Sequence, residues 1–81
     1  MNLLQLAGSL PRDPQFRDWV VTFLPGQGAY CTEDMAAMFI REVCQVKSRK
    51  ELLQHREAEE RFHRYLRLPF VAWRVQQEQT A

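Results

Sequence analysis

Residues 13–26, DPQFRDWVVTFLPG, carry the start, the apolar stripe and the end of a helix. Asp13 is a favourable N-cap, and Pro14 suits the first helical position because no backbone N–H is needed there. Apolar side chains then recur with the period of an amphipathic helix, at Phe16, Trp19, Val20, Phe23 and Leu24. Pro25-Gly26 predicts the end of this helix. The stretch therefore predicts a core-facing helix.

The same helical spacing continues on both sides of this stretch. Leu3, Leu6, Ala7 and Leu10 predict a short helix at 2–9 that Pro11 brings to an end. After a loop at 27–31, Thr32 can cap a further helix. The predicted buried face of that helix consists of Ala36, Phe39, Ile40, Val43 and Cys44.

In the C-terminal half, the phase of the apolar residues predicts a break. Ser48-x-x-Glu51 matches a capping box and begins a short helix at 49–54. Leu52 would lie about 100° away from the next apolar face on one continuous helix. A break near Gln54-His55 lets both segments bury their apolar sides. The second segment is predicted at 57–67, with one face formed by Ala58, Phe62, Tyr65 and Leu66.

Pro69 predicts an interruption, followed by a short last helix at 70–77 and a polar tail at 77–81 that frays.

No stretch alternates with the period of a strand. The chain has 81 residues, of which 46% are hydrophobic and 26% are charged. These values favour one globular domain over 1–81 and argue against a disordered or membrane protein. The fold class is all-α, a compact bundle of four to six short helices.

The net charge of +1 conceals an asymmetry between the two halves of the chain. Residues 1–40 contain two arginines against four acidic residues, whereas residues 41–81 contain nine Lys and Arg against six Glu. Arg56, His63, Arg64 and Arg67 fall on the solvent side of one predicted helix, and Arg49 begins the helix before it. This basic stripe makes a DNA-binding module the alternative function, although Glu60 interrupts it.

Residue types and spacing argue against an enzyme or a metal protein. Cys31, Cys44, His55 and His63 fit no paired zinc pattern, and no phosphate-binding loop is present. We expect no catalytic residue and no cofactor.

Two cysteines are too few for a disulfide framework, and the start Met1 to Leu4 lacks the basic region of a signal peptide. Free thiols in a cytoplasmic protein, without a membrane segment, are therefore expected.

Partner binding is the remaining class of function. Trp, Tyr, Met and Arg are enriched at protein contacts, and several of them lie outside the clearest core stripes. The candidate contacts are Tyr30, Met35, Met38, Arg49, Arg56, His63, Arg64, Arg67, Phe70 and Trp73. The large apolar members could equally complete the core, and a homodimer is a further alternative.

Two motifs in the C-terminal half resemble a known group of proteins. The pattern SRxEL at 48–52 and the pattern AxxxFHxxLRxPFxxW at 58–73 are similar to short, mostly uncharacterised accessory proteins of tailed bacteriophages and prophages. Those proteins often place Asp and Asn after the Glu-Leu pair, where this chain has Leu53-Gln54-His55. The resemblance implies bacterial cytoplasm and a non-enzymatic protein that binds and modulates a host or phage protein. Host DNA-metabolism or defence machinery is the implied class of partner.

Overall fold

The computed structural model describes residues 2–26 and 30–80, and all of its regular structure is helical. The helices are α1 Leu3–Ser9, α2 Pro14–Val21, α3 Glu33–Cys44, α4 Glu51–Gln54, α5 Arg56–Phe62 and α6 Leu68–Thr80. A 3-10 turn, Leu10–Arg12, links α1 to α2, and a π-helical turn, His63–Arg67, joins α5 to α6. The predicted all-α class is confirmed.

Within the described ranges, no helix is long and apolar enough to cross a membrane. Positions 27–29 of the predicted loop lie outside the described residues.

Side-chain caps explain where the first three helices begin. The side-chain oxygen of Asn2 accepts a hydrogen bond from the backbone N–H of Gln5 at 2.8 Å. The side-chain oxygen of Gln5 accepts the backbone N–H of Asn2 in return, which completes a capping box. Asp13 caps α2 as predicted, because its carboxylate accepts the N–H of Gln15 at 2.9 Å. Thr32 caps α3 through the N–H of Met35 at 3.1 Å. Local sequence chemistry therefore fixes these starts.

Helix α2 ends earlier than its apolar stripe predicts. The last helical residue is Val21, and the Thr22 hydroxyl donates to the Trp19 carbonyl at 2.7 Å. Phe23 then falls in a turn and is 58% exposed, so its predicted burial is wrong. Gly26 follows with φ of 94°, a backbone conformation that favours glycine.

Helix α3 ends on a left-handed residue that is not glycine. Gln45 has φ of 60°, and the N–H of Val46 donates back to the Arg41 carbonyl at 3.0 Å. This pairing closes the last turn in the manner of a Schellman motif. A side chain in this conformation is strained by crowding between Cβ and the backbone.

The predicted break between the two C-terminal segments is confirmed. His55 is extended, with φ of −125° and ψ of 115°, between α4 and α5. One half of the predicted capping box is also present, because the Glu51 carboxylate accepts the N–H of Ser48 at 2.8 Å and that of Lys47 at 2.6 Å. Helix α4 itself begins at Glu51 rather than at 49.

Beyond the break, the chain forms one uninterrupted C-terminal helix made of α5, the π turn and α6. The predicted stop before Pro69 and the separate helix at 70–77 are wrong, because α6 runs from Leu68 to Thr80. Position 81 of the predicted tail lies outside the described residues. Leu68 donates its N–H to the His63 carbonyl, five residues back, and this wider turn directly precedes Pro69. Proline lacks an N–H and crowds the carbonyl of a regular helix, so a widened turn accommodates it. The polar residues of the tail, mostly Gln and Glu, are good helix formers.

The widened turn also keeps the apolar side chains of this helix in phase. The buried members are spaced by four residues and are at most 2% exposed: Ala58, Phe62, Leu66 and Phe70. On a regular helix each step of four advances the stripe by about 40°, so its ends would diverge by about 120°. The π turn places more residues in one turn and returns the stripe to the core. It also carries Tyr65 outward, and this ring, predicted to share the buried face, is exposed.

Aromatic rings join the C-terminal helix to α2. Phe16 is fully buried and meets Phe70 edge-on, with ring centroids 5.2 Å apart. Arg61 ties the same helix to the end of α3, because its Nε donates to the Cys44 carbonyl at 2.9 Å. The buried cluster consists of Ala7, Leu10, Phe16, Trp19, Val20, Ala36, Ile40, Cys44, Leu52, Ala58, Phe62, Leu66 and Phe70.

We predict that Gln45→Gly stabilises the protein by about 1 kcal/mol, because glycine removes the Cβ crowding of the left-handed cap. For a domain of this size the midpoint of thermal unfolding rises by about 5 °C. The matched control is Gln76→Gly, at an exposed position inside α6, which lowers stability by about 0.5–1 kcal/mol. A Gln45→Gly variant that melts below the wild type would contradict this account of the cap.

We predict that Glu51 makes stability depend on pH. The backbone N–H groups of Ser48 and Lys47 lower the pKa of its carboxyl, so its contribution is complete above the unfolded-state value of about 4.3 and is lost as pH falls through the folded-state value. The gap in melting temperature between wild type and Glu51→Gln is therefore wide at pH 7 and closes in acid. Glu57→Gln, at an exposed carboxylate, is the control and shows no comparable gap. A gap that does not change between pH 7 and pH 3 would refute the role of the charge.

Candidate partner-binding surfaces

The structure places one of the predicted contact residues in the core and leaves a second one only partly exposed. Phe70 is 2% exposed and packs on Phe16, so it belongs to the core, and its prediction as a partner contact is corrected. Trp73 is half-buried and stacks on Phe70 with ring centroids 6.3 Å apart. Both lie on the inner side because the C-terminal helix continues through Pro69 in the phase set by the π turn.

An exposed apolar surface lies where the end of α2 meets α3, and we call it the Phe23 surface: Phe23, Met35, Met38 and Phe39. The Phe23 ring meets Trp19 edge-on at 5.0 Å and stacks with Phe39 at 5.7 Å. Met35 lies one turn before Phe39 on α3, and Met38 is 52% exposed beside it. By helical spacing, Met35 lies one turn from Met38 and one turn from Phe39, whose ring stacks on Phe23.

Sequence reasoning missed Phe23 as a surface residue, because it fits the periodicity of a buried face. Phe39, predicted on the buried face of α3, is half-buried against the core. The nearby Pro25-Gly26 was the available signal that the helix could end before Phe23. Tyr30 is 74% exposed and lines a different cleft, beside Arg17 and Val21 of α2.

The predicted basic stripe on the C-terminal helix is a row of mixed charge. Arg56 lies 3.7 Å from the Glu60 carboxylate, and His63 lies 3.8 Å from that of Glu59. Arg67 donates its Nε to His63 Nδ1 at 2.8 Å. The carboxylates offset much of the charge that nucleic-acid phosphates would meet.

The remaining two predicted arginines, Arg64 and Arg49, contact other groups. Arg64 stands over the ring of its neighbour Tyr65, at 5.6 Å from the centroid. Arg49 lies against α1, where its guanidinium fills the space that a Cβ would occupy at Gly8. Arg49 therefore lies apart from the four predicted basic residues of the C-terminal helix.

A groove of about 580 Å³ runs between α1 and α6. Its exposed apolar lining comes from Leu6 and Val71, and the nearly buried Leu10 and Phe70 lie beneath them. Three arginines line it, Arg12, Arg67 and Arg74, together with Asp13. Of these three arginines, only Arg67 was predicted as a partner contact. No local motif could reveal Arg12 and Arg74, because the groove joins segments from opposite ends of the chain.

The chemistry of the cysteines does not favour a nucleophile. Both are free, and burial raises the pKa of the Cys44 thiol to about 11, against a smaller opposing effect of Arg61. Burial also raises the pKa of Cys31, with Arg17 opposing it. In the described part of the chain, no three His, Cys, Asp or Glu side chains are grouped so as to hold a metal ion.

We predict that the two thiols differ sharply in reactivity. Iodoacetamide at pH 8 alkylates the half-buried Cys31 in the native protein, whereas the fully buried Cys44 reacts only after unfolding. Intact-mass measurement then shows a single adduct without denaturant and a second one in guanidinium. Cys31→Ser removes the native adduct. Equal native rates for both thiols would contradict the packing around Cys44.

Comparison with known proteins found no matching family model, no similar curated protein and no similar solved structure. The Phe23 surface presents aromatic and thioether groups, and the groove presents guanidinium groups over an apolar floor. Both arrangements are suited to binding a partner.

Proposed function

We propose that this protein is a non-enzymatic binding protein that attaches to a larger protein through the Phe23 surface. The observation that carries the proposal is the Phe23 ring, 58% exposed yet held between Trp19 and Phe39. An exposed aromatic side chain that is already fixed loses little conformational entropy when a partner covers it. Rigid aromatic anchors of this kind contribute much of the affinity at protein interfaces.

Met35 and Met38 complement the fixed rings with adaptable side chains. The thioether chain is unbranched and polarizable, so it can fill irregular gaps against a partner. A rigid centre with flexible apolar neighbours supports a contact that excludes water.

The class of partner follows from the resemblance to phage and prophage accessory proteins. A protein of the host or phage, within the bacterial cytoplasm, is the proposed partner, and DNA-metabolism or defence machinery is the proposed class. Modulation of that partner by occupying part of its surface requires no catalytic group and no cofactor.

The alternative, a DNA-binding module, receives less support from the charges. Its proposed stripe contains the Arg56–Glu60 ion pair and the Glu59 carboxylate beside His63. Phosphate contacts would need to displace these carboxylates or work against them. We therefore keep DNA binding as an outcome of the test.

The test is affinity capture from bacterial lysate with the tagged wild type and two variants. Phe23→Ala weakens capture of the partner at least about 30-fold, the effect of removing an aromatic hot spot. Tyr65→Ala is the matched control, because Tyr65 is an exposed aromatic residue, at 51%, outside this surface. Purified partner then provides the dissociation constants.

Three results would overturn the proposal. One is the absence of any stoichiometric partner, and another is equal capture by wild type and Phe23→Ala. The third is a complex with duplex DNA at micromolar protein that weakens steeply with salt and is lost in Arg56→Ala. Sedimentation of the wild type at several concentrations tests whether Phe23→Ala instead removes a homodimer.

A further inference from the structure

We propose that the groove between α1 and α6 is a second binding site, which takes an acidic amphipathic helix from a partner protein. It shares no residue with the Phe23 surface. Its floor is apolar, and its guanidinium groups come from both ends of the chain, Arg12 on one side and Arg67 and Arg74 on the other. Such a site would bury apolar side chains of the partner and pair with its carboxylates.

Arg67 of the π turn and Arg74 of α6 are held in place before any partner arrives. The Arg74 guanidinium lies 5.0 Å above the Phe70 ring and 3.7 Å from the Asp13 carboxylate. Arg67 is fixed by its Nε hydrogen bond to His63, so its two terminal amino groups stay available. A fixed guanidinium fork suits a carboxylate, because two parallel hydrogen bonds can form with little loss of side-chain entropy.

The charge of the groove is positive. Three guanidinium groups face a single carboxylate, that of Asp13, which also caps α2 through Gln15. Arg12 is exposed and pairs with no described residue. The groove therefore carries a net charge that complements an acidic partner.

The apolar floor continues along the outer side of α6. Leu68, Val71 and Val75 are exposed and follow one another at spacings of three and four residues. That spacing forms a continuous stripe on a helix and is the pattern that a second helix packs against. Helix α6 thus has an inner stripe used by the core and an outer stripe without a partner in the described chain.

These observations favour an acidic helix over the other possible occupants. Nucleic-acid backbone would gain little from a floor of leucine, valine and phenylalanine, because that floor offers no hydrogen bonds. A second copy of this chain has its densest acidic segment on α5, where Glu57, Glu59 and Glu60 are accompanied by arginines rather than by apolar residues. A partner helix with leucines on one side and glutamates beside them fits both the floor and the arginines.

The test uses a fluorescein-labelled synthetic peptide of about 14 residues, roughly four helical turns, with leucines at heptad spacing and glutamates elsewhere. Fluorescence anisotropy with the purified full chain measures its affinity. We expect saturable binding, and we expect the same peptide with lysine in place of glutamate to bind at least about tenfold more weakly.

Variants locate the site on the protein. Arg67→Gln and Arg12→Gln each weaken binding of the acidic peptide about tenfold, whereas Arg56→Gln leaves it unchanged. Arg56 is the matched control, because its side chain is 91% exposed on the same C-terminal helix but does not line the groove. Arg12 is exposed, so its substitution leaves the fold intact even where Arg67→Gln lowers stability. Val71→Ser weakens binding through the floor.

Several outcomes would overturn the inference. They are equal binding of the acidic and basic peptides, no binding at millimolar protein, and equal affinity of the Arg12, Arg67 and Arg56 variants. Displacement of the peptide by a DNA duplex would assign the groove to nucleic acid. Self-association that Val71→Ser removes would assign it to a second copy. The Phe23→Ala variant retains peptide binding, so failure of one proposal is distinguishable from failure of the other.

Discussion

The four apolar side chains from Ala58 to Phe70 are spaced by four residues, and a widened turn in the C-terminal helix keeps them on one side of it. That turn is the π turn at His63–Arg67, and the stripe lies on the inner side of the helix. Pro69 fits the same turn because a proline has no N–H to place in a regular helix. The contact between Phe70 and Phe16 follows from this phase, and so does the half-buried position of Trp73.

The phase of this helix also determines what the surface offers. Since Phe70 faces inward, Arg67, Val71 and Arg74 turn toward α1 and form the groove. Helix α2, whose Phe16 and Trp19 anchor the other side of the core, ends just before Phe23 and leaves that ring outside. One surface is therefore apolar and supported by aromatic contacts, and the other is cationic over an apolar floor. In each case a core residue, Trp19 or Phe70, positions the exposed side chain that a partner would meet.

Features governed by neighbouring residues were predictable. The starts of α2 and α3 follow from hydrogen bonds that Asp13 and Thr32 make within three residues, and the break at His55 follows from the mismatch in apolar phase. The predictions that failed needed distant information. Phe23 and Tyr65 fit a buried helical face by spacing, but the end of α2 and the π turn place them outside. Of the predicted contacts, Met35 and Met38 lie on one surface, while Arg49 lies apart from the basic residues of the C-terminal helix.

The sequence by itself determined the all-α class, the starts of α2 and α3 and the free thiols, because caps, periodicity and residue types act over one or two turns. Only the tertiary structure decided which apolar residues are left for a partner and which arginines lie together. Arg12 and Arg74 belong to opposite ends of the chain, and they share a groove because α1 and α6 pack against the same core. Their proximity depends on packing between distant segments, which no local pattern encodes.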